Sequence, residues 1–368
     1  MKIAMFGVKG VPVPAGAEYV VEEVGSRLAA RGHEVVVYVR PHYTPREQHE
    51  YRGMRLVHLP SIPSKNFDAI THSFNAAMAV PGEKPDVVHI HSTGNSIFAL
   101  PLRARGLSTV VTSHGLDWQR AKWGRLAKAY LRFTDFTTAR FPNAATAVSQ
   151  KMQHYYQDHF GRSVKYIPNG VKPVERVEPD EIHRLGLWGD DYILFAARLV
   201  PEKCAHHLIE AYCRIPYPTK KLVIAGDGSY GDLYAEKLKQ SACDRIIFPG
   251  FVRGRLLEEL LSNAYLYVLP SEIEGLSTGL LDAMNYENCV LVSDIEENLE
   301  VIADAGFSFR TNSVDDLSAK LTQLMLDEPL VREYRRKAGQ SVRARYDWEK
   351  VTDQYLEIYS SLALSMAG

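Results

Sequence analysis

The 368-residue sequence has almost no excess of charge of either sign, because 43 basic side chains are matched by 44 acidic ones. The formal net charge of −1 argues against a general nucleic-acid binder, which carries a strongly basic surface. Long hydrophobic runs are also missing, since no apolar stretch approaches the roughly 20 residues that span a bilayer. The start, MKIAMFGVKG, lacks the apolar core of a signal peptide and predicts a buried strand. We therefore expect a water-soluble cytoplasmic protein, with contact at the inner membrane surface left open.

Cysteine is scarce, and the cysteines that are present form no CxxC pair. They are Cys204, Cys213, Cys243 and Cys289, all in the second half of the chain. A disulfide framework or a structural zinc site needs cysteines at characteristic spacings, often combined with histidines. The sequence instead predicts buried free thiols in a reducing compartment.

Short β-branched runs alternate with longer amphipathic segments along the whole chain, which is typical of parallel βαβ units. A chain of this length is expected to form two domains. The strand candidates are 2–8, 34–40, 54–60, 86–92, 109–115 and 145–149, followed by 192–199, 221–228, 245–251, 264–271 and 289–295. The proline- and charge-rich stretch 168–181 separates the two series. The prediction is two tandem doubly wound α/β domains, with a cleft where the carboxyl ends of their strands face each other.

The first strand–helix turn, GVKGVPVPAGAEYVVEE, lacks the G-x-G-x-x-G pattern of dinucleotide-binding domains. The second strand ends in Arg40, where an acid would hold an NAD ribose, so both features disfavour a dinucleotide site. Gly16 stands near the start of a helix predicted over 17–32, where a phosphate can approach the backbone closely. An ordinary structural turn is the alternative.

Residues 270–284, PSEIEGLSTGLLDAM, contain two carboxylates beside a glycine-punctuated turn. Glu274 can accept hydrogen bonds from sugar hydroxyls, Asp282 can chelate the vicinal hydroxyls of a ribose, and the amides between them can bind phosphate oxygens. This pattern indicates a nucleotide-sugar site. Arg198 and Lys203 stand at the carboxyl end of the first strand of the second domain and suit a diphosphate leaving group; a solvated surface pair is the alternative.

Three histidines belong to the strands of the first domain or to the residues that follow them. His114 follows the strand 109–113 at the carboxyl-end rim, where it can exchange hydrogen bonds with a sugar hydroxyl; a packed or surface histidine is the alternative. His89 and His91 stand two residues apart and therefore share one face of a strand. A metal site needs further ligands with suitable geometry, and none is evident, so we predict no metal.

Segment 119–140 combines basic and large apolar side chains along a predicted helix. The basic residues are Arg120, Lys122, Arg125, Lys128 and Arg132, and the apolar residues among them are Trp123, Leu126, Tyr130 and Phe133. This composition is compatible with contact to an anionic membrane surface. It is also compatible with a solvated helix face.

In chain order, the motifs AGAEYVVEE, GHEVVVY, DVVHIH, TSHG, YIPNGV, ARLVPEK, IAGDG, PGFV and PSEIEGLSTGLLDAM resemble those of the retaining glycosyltransferases of family GT4, which have the GT-B fold. The likeness covers nearly the full length, and the N-terminal loop and helix also resemble the rhamnosyltransferase-like members. It implies two Rossmann-like domains. The acceptor-side domain would cover 1–170 with a C-terminal crossover helix, 347–368, packing back on it, and the donor-binding domain would cover 171–346.

The resemblance also implies roles for individual residues. Glu274 matches the acid that contacts the hydroxyls of the donor sugar, Asp282 the acid that holds the ribose, and His114 the histidine that faces the sugar. The diphosphate clamp matches Gly16, Arg198, Lys203 and the backbone amides near Ser277 and Thr278. Three departures stand out: Asp282 replaces a glutamate, Ala15-Gly16-Ala17 replaces a Gly-Gly pair, and Cys204 replaces a glycine. None removes a charged group that the chemistry needs, so activity is expected.

The implied reaction moves a hexose-type sugar from a nucleoside diphosphate sugar to an acceptor hydroxyl with retention at the anomeric carbon. No cofactor or metal is expected. The acceptor would be a saccharide, a lipid-linked saccharide or a small molecule, in polysaccharide or glycoconjugate biosynthesis. Two alternatives remain open, a nucleotide-sugar epimerase of the same fold and a non-catalytic nucleotide-sugar-binding partner protein.

Overall fold

A computed structural model describes residues 1–13, 16–64, 67–119, 123–228 and 233–367 of the chain. Its internal contacts divide the chain into two units. The first unit comprises Met1–Gly170 together with Asp347–Gly368, and the second comprises Val171–Tyr346. The break between Gly170 and Val171 lies inside the proline-rich stretch 168–181.

The first unit has a largely parallel sheet with helices on both faces. Its strands are β1 (Lys2–Phe6), β2 (Glu34–Val39), β3 (Glu50–Tyr51), β4 (Met54–His58), β5 (Val87–His91), β6 (Ser108–Ser113), β7 (Ala144–Ala147) and β8 (Lys165–Tyr166). Its helices are α1 (Gly16–Ala30), α2 (Asp68–Glu83), α3 (Ala99–Arg103), α4 (Arg125–Arg140), α5 (Gln150–Phe160) and the C-terminal helix (Trp348–Ala367). The strand order is β3-β4-β2-β1-β5-β6-β7-β8, and β3 pairs with β4 in the antiparallel sense.

The elements of the first unit form where apolar side chains repeat with the right period. All five residues of β5 are buried, as expected for a parallel strand covered on both faces. The helix predicted over 17–32 is confirmed as α1, which buries Val20, Val24 and Leu28 at helical spacing. Gly32 follows with a φ of 85°, a conformation that favours glycine just beyond a helix end.

The C-terminal helix completes the core on the α1 face of this sheet. Its buried residues Trp348, Tyr355 and Tyr359 belong to the same apolar cluster as Val24 and Leu28 of α1. The C-terminal helix implied over 347–368 does form, and it runs from Trp348 to Ala367. A separate apolar cluster that includes β1, β5, α2 and α3 fills the opposite face.

The second unit is a parallel sheet of the Rossmann type. Its strands are β9 (Tyr192–Ala196), β10 (Lys221–Ala225), β11 (Ile246–Gly250), β12 (Leu266–Leu269), β13 (Cys289–Ser293) and β14 (Phe307–Phe309). Its helices are α6 (Ala205–Cys213), α7 (Leu233–Lys239), α8 (Arg255–Asn263), α9 (Thr278–Asn285), α10 (Glu296–Ile302), α11 (Val314–Leu326) and α12 (Glu328–Arg345). The order β11-β10-β9-β12-β13-β14 reverses direction between β9 and β12, where doubly wound sheets bind their ligands.

Two expectations need correction in the second unit. The strand predicted over 192–199 ends at Ala196, so Arg198 lies in the following loop. All four thiols are free, but only Cys204 and Cys289 are buried, whereas Cys213 and Cys243 are exposed. The prediction of buried thiols was wrong for this second pair because Cys213 ends α6 and Cys243 lies in the turn before β11.

None of the helices in the described ranges is long and apolar enough to cross a membrane.

Candidate functional site

The loops that follow β9 and β12 meet at the carboxyl edge of the second sheet. These strands are neighbours at the point where the strand order reverses. The backbone N–H of Glu272 donates to the carbonyl of Glu202 at 3.0 Å, which ties the two loops together. The loop after β9 carries Arg198 and Lys203, and the loop after β12 carries Glu274. Three of the predicted site residues therefore come from two neighbouring loops.

Lys203 and Glu274 form an ion pair at this edge. The Lys203 Nζ donates to the Glu274 carboxylate, and the two side chains are only 14% and 8% exposed. An ion pair this far from solvent is weakly screened by salt, and removing one partner leaves the other charge buried without compensation. Each of the two groups therefore fixes the position of the other in the absence of any ligand.

Arg198 is exposed, and its guanidinium has no side-chain partner among the described residues. Its loop is nevertheless held in place, because the backbone N–H of Leu199 donates to the carbonyl of Asp227 at 3.0 Å. At Gly226, which has a φ of 144°, a Cβ would lie 1.9 Å from the Ala197 carbonyl oxygen, so only glycine fits. The guanidinium thus projects from a well-anchored backbone.

Helix α9 begins beside the Lys203–Glu274 pair. Ser277 caps it, since its side-chain oxygen accepts from the Leu280 N–H at 3.3 Å. The first-turn N–H groups of Thr278 and Gly279 have no intrahelical acceptor, so they can bind an anion. A Cβ at Gly279 would lie 3.0 Å from the Tyr267 hydroxyl, which shows how closely the helix start packs on the sheet.

Asp282 lies on α9 in a partly buried position. Burial raises the pKa of its carboxyl to about 6, against the attraction of Lys172, which lowers it. The pKa of Tyr267 is also raised, first by burial and then by the charges of Glu274 and Asp282, so this phenol lies near both carboxylates. Sequence reasoning missed Lys172 and Tyr267. Lys172 follows directly after the motif YIPNGV, and Tyr267 lies in the predicted strand AYLYVLPS.

In the first unit, His114 directly follows β6 and is partly buried. Its Nε2 lies 3.1 Å from the Nδ1 of His91, and the ring of His91 lies 3.9 Å from that of His89. The prediction that His89 and His91 share one face is confirmed. These three residues form the histidine cluster, which the hydrogen bond between His89 Nδ1 and the Tyr359 hydroxyl at 2.6 Å connects to the C-terminal helix.

The histidine cluster is uncharged near neutral pH. Burial lowers the pKa of His114 to about 4 and that of His89 to about 3, and it lowers the pKa of His91 well below its usual range. A neutral imidazole can donate one hydrogen bond and accept another, so His114 is suited to a hydroxyl group. Within the described residues, no group of three or more His, Cys, Asp or Glu side chains could hold a metal ion.

Gly16 is the exposed first residue of α1. A Cβ at this position would meet no described atom within 4 Å, so packing inside the unit does not require glycine. The neighbouring Ala15, one of the noted departures, lies outside the described residues.

The helix predicted within 119–140 begins only at Arg125, and Arg120 and Lys122 also lie outside the described ranges.

Two family models match the chain and together cover most of its length. The model described as Glycosyltransferase Family 4 matches residues 14–175. The model described as Glycosyl transferases group 1 matches residues 180–345.

Among curated proteins, the chain is 28% identical over 205 residues to O-antigen chain mannosyltransferase B of Escherichia coli. This match covers 54% of the chain and 52% of that protein, so the chain spans about half the length of this relative. The chain is 22% identical to spore coat protein SA of Bacillus subtilis over 389 residues, 98% of this chain and 99% of that protein.

Solved structures are similar over nearly the whole chain. Sucrose-phosphate synthase of Thermosynechococcus elongatus matches with a TM-score of 0.83 at 19% identity, covering 99% of both chains. HepE of Anabaena, solved in complex with UDP-glucose, matches with a TM-score of 0.81 at 18% identity, covering 98% of this chain and 100% of that one. At this level of identity, the likeness shows the fold alone.

Proposed function

Since this chain belongs to the GT4-type, group 1 glycosyltransferases and has the GT-B fold, we propose that it transfers a sugar from a nucleoside diphosphate sugar to an acceptor hydroxyl. The observation that carries this proposal is the Lys203–Glu274 ion pair beside the N-terminus of α9. A cation and open backbone amides at one sheet edge suit the phosphates of such a donor, and the carboxylate beside them suits the hydroxyls of its sugar. The setting would be polysaccharide or glycoconjugate biosynthesis.

Each part of the donor has a proposed partner in the second unit. Arg198, Lys203 and the N–H groups at the start of α9 bind the diphosphate, and Asp282 accepts hydrogen bonds from the ribose hydroxyls. Glu274 accepts hydrogen bonds from the sugar hydroxyls. In the first unit, His114 contacts the sugar and Gly16 allows the diphosphate to approach the start of α1.

The proposed chemical step retains the configuration of the anomeric carbon. The bond between this carbon and the diphosphate oxygen breaks, and its electron pair leaves with the diphosphate. Arg198 and Lys203 stabilise the charge that develops there, as preorganised cations do in other transferases. The acceptor oxygen bonds to the same face of the sugar, and its proton passes to the departing phosphate oxygen. Two cationic side chains and backbone amides carry the role that a divalent metal has elsewhere, so no metal is required.

Substitutions at the ion pair test this assignment. We expect Lys203→Ala to weaken binding of the nucleoside diphosphate and to lower transfer by about 100-fold or more, since one preorganised donor is typically worth that much. Glu274→Gln should lower transfer comparably through the lost sugar contact. It should leave diphosphate binding intact or strengthen it, because Lys203 no longer shares its charge with a carboxylate. Calorimetry measures binding, and release of the nucleotide measures transfer.

The matched control is Lys337→Ala, which removes an exposed lysine that pairs with Glu333 on α12. It should leave binding and transfer unchanged. Urea unfolding of all variants separates lost function from lost folding. Near-wild-type turnover in both Lys203→Ala and Glu274→Gln would rule out the site.

Two other functions fit the same nucleotide-sugar site and are separated by their products. A nucleotide-sugar epimerase would convert labelled donor into an epimeric nucleotide sugar without any acceptor. A transferase releases free nucleotide and forms a glycoside. A non-catalytic partner protein would bind the donor but show no turnover with any acceptor.

The acceptor we propose is a lipid-linked saccharide at the inner membrane surface, contacted through segment 119–140. The basic side chains Arg125 and Arg132 and the apolar side chains Leu126 and Tyr130 between them are exposed on α4, which supports this choice. Saccharides and small molecules in solution are the alternatives. Comparing transfer to a lipid-linked and a water-soluble form of the same saccharide distinguishes them.

A further inference from the structure

Helix α4 of the first unit buries polar side chains and exposes large apolar ones. Its fully buried side chains include Thr134, Asp135, Thr137 and Thr138, each no more than 1% exposed. Its outward stripe is apolar instead: Leu126 is 89% exposed, Tyr130 37%, Phe133 52% and Phe136 42%. A surface helix of a water-soluble protein normally has the opposite arrangement, with its apolar side chains toward the core.

The buried polar side chains Thr134, Asp135 and Thr137 of α4 have specific hydrogen-bond partners. The Ser96 hydroxyl lies 2.5 Å from that of Thr137 and donates to the backbone carbonyl of Thr134 at 3.0 Å. The Tyr155 hydroxyl donates to the carboxylate of Asp135 at 3.1 Å. Rotating the helix to bury its phenylalanines would break these hydrogen bonds in the interior, where an unmade bond is costly. The apolar stripe is therefore held outward by the fold.

Neighbouring helices extend this apolar surface. Helices α2, α3 and α4 all contact the 3₁₀ turn Thr93–Phe98. Phe74 and Met78 of α2 are 55% and 54% exposed, and Leu100 of α3 is 49% exposed. The seven residues Phe74, Met78, Leu100, Leu126, Tyr130, Phe133 and Phe136 are called the apolar face.

Basic side chains outnumber acidic ones along the segment that supplies α3 and α4, and they are called the basic border. Between 99 and 140, the described basic residues are Arg103, Arg105, Arg125, Lys128, Arg132 and Arg140. The described acids in this stretch are Asp117, which is partly buried, and Asp135, which is fully buried. This local excess of positive charge stands in a chain whose net charge is −1. Arg105 reaches Met78, with its Nη2 3.8 Å from the sulfur, so charges and apolar groups adjoin.

We propose that the apolar face and its basic border form a docking surface for an anionic lipid bilayer. Phenylalanine and leucine side chains enter the boundary between headgroups and acyl chains, and arginines bind the lipid phosphates around them. A lipid bilayer supplies both chemistries over one extended plane, which suits three adjacent helices that each present apolar side chains. The purpose of this contact rests on the proposed lipid-linked acceptor, but the contact itself does not.

Within the first unit, the docking surface has a defined position relative to His114. Helix α4 begins at the carboxyl edge of the sheet, since it follows β6 and His114 in the chain. Leu126, the most exposed residue of the apolar face, lies in the first turn of α4 and therefore at that edge. A bilayer on this surface thus adjoins the edge of the first unit where His114 lies, so an acceptor anchored in the membrane has a short path to it.

Flotation of the purified full chain with lipid vesicles tests the proposal without donor or acceptor, so its result is independent of transfer. The wild-type protein should float with vesicles of phosphatidylcholine and phosphatidylglycerol and remain behind with phosphatidylcholine alone. Replacing Arg125, Lys128 and Arg132 by Gln should weaken binding to anionic vesicles by roughly 100-fold, since each basic residue near an anionic surface contributes about fivefold. The variant with Leu126, Phe133 and Phe136 replaced by Ser should also lose binding. Its fold should be intact because these side chains are exposed.

Matched controls lie on the second unit. One replaces the exposed Trp188 and Tyr217 by Ser, and the other replaces Arg332, Arg336 and Lys337 of α12 by Gln. Both should float like the wild type. Absence of wild-type binding to anionic vesicles, or equal binding by the Gln variant, overturns the proposal. The proposal is also overturned if light scattering shows that the wild type is a dimer and the Ser variant a monomer, while the wild type does not bind vesicles. The surface would then be a protein interface. Nucleotide binding by calorimetry in the same variants reports separately on the proposed function.

Discussion

Asp282→Asn should stabilise the unliganded protein and lower its affinity for the nucleotide. Burial raises the pKa of Asp282 from 3.8 to about 6. The folded protein therefore binds this proton more tightly than the unfolded chain does, so stability falls as the pH rises from about 4 to about 6. One pKa unit corresponds to about 1.4 kcal/mol, and the charged carboxylate thus costs roughly 3 kcal/mol of unfolding free energy above pH 6.

Asparagine has nearly the same shape and carries no charge. We expect the substitution to raise the free energy of unfolding at pH 7.5 by up to about 3 kcal/mol, a figure that already includes the attraction to Lys172. The gain should shrink as the pH falls through 6 and disappear below about pH 4. Urea unfolding of both proteins at several pH values measures it. The control is Asp244→Asn, which removes an exposed carboxylate of the same unit and should change little.

Nucleotide binding should move in the opposite direction. A hydrogen bond to a charged group is worth about 1.5–3 kcal/mol, so losing the carboxylate should weaken binding by about tenfold or more in calorimetry. Wild-type affinity should also fall below pH 6, as the carboxyl group gains its proton. A residue that only packs the fold would lose stability on substitution and keep its affinity. Lower stability at pH 7.5, or unchanged nucleotide affinity, would refute the ribose role of Asp282.

Two further predictions follow from burial alone. Iodoacetamide should modify Cys213 and Cys243 in the native protein but reach the two buried thiols only after unfolding. Mass spectrometry after digestion identifies the modified sites. Equal labelling of all four thiols would contradict the burial of Cys204 and Cys289. The first unit should lose stability on acidification, because folded pKa values below the usual 6.5 mean that the histidine cluster binds fewer protons folded than unfolded. Each histidine should cost about 1.4 kcal/mol per pH unit below pH 6.5, down to its folded pKa. Hydrogen exchange, corrected for its intrinsic pH dependence, should therefore show β5 and β6 losing protection between pH 7 and 5 before β12 and β13 do.

Much of the fold is predictable because parallel strands covered on both faces must be nearly continuous apolar runs. Strands β5 and β13 are of this kind, and all their residues are buried. The strands β3, β8 and β14 were not predicted. They contain only two or three residues each, too few for a period of two to be seen. Their positions depend on pairing with neighbours, which is a property of the folded sheet.

For the candidate site, the position of its residues was predictable but their electrostatics was not. Spacing and resemblance place Lys203 and Glu274 in loops at one sheet edge, and both residues do lie there. That they pair with each other depends on the contact between the two loops, which no local pattern encodes. The raised pKa of Asp282 likewise depends on how deeply α9 packs against the sheet, and the nearby Tyr267 and Lys172 come from distant parts of the chain.

Helix α4 shows why the sequence left two interpretations of segment 119–140 open. A helical period tells which residues share a face, but not which face turns toward the core. Phe133 and Phe136 would ordinarily decide the matter by burial, since burying a phenylalanine is worth about 1.5–3 kcal/mol. Here the opposite face carries Thr134, Thr137 and Asp135, whose partners come from the turn Thr93–Phe98 and from α5. Only the assembled unit holds those partners, so only the structure reveals that the phenylalanines point outward and are available to a membrane.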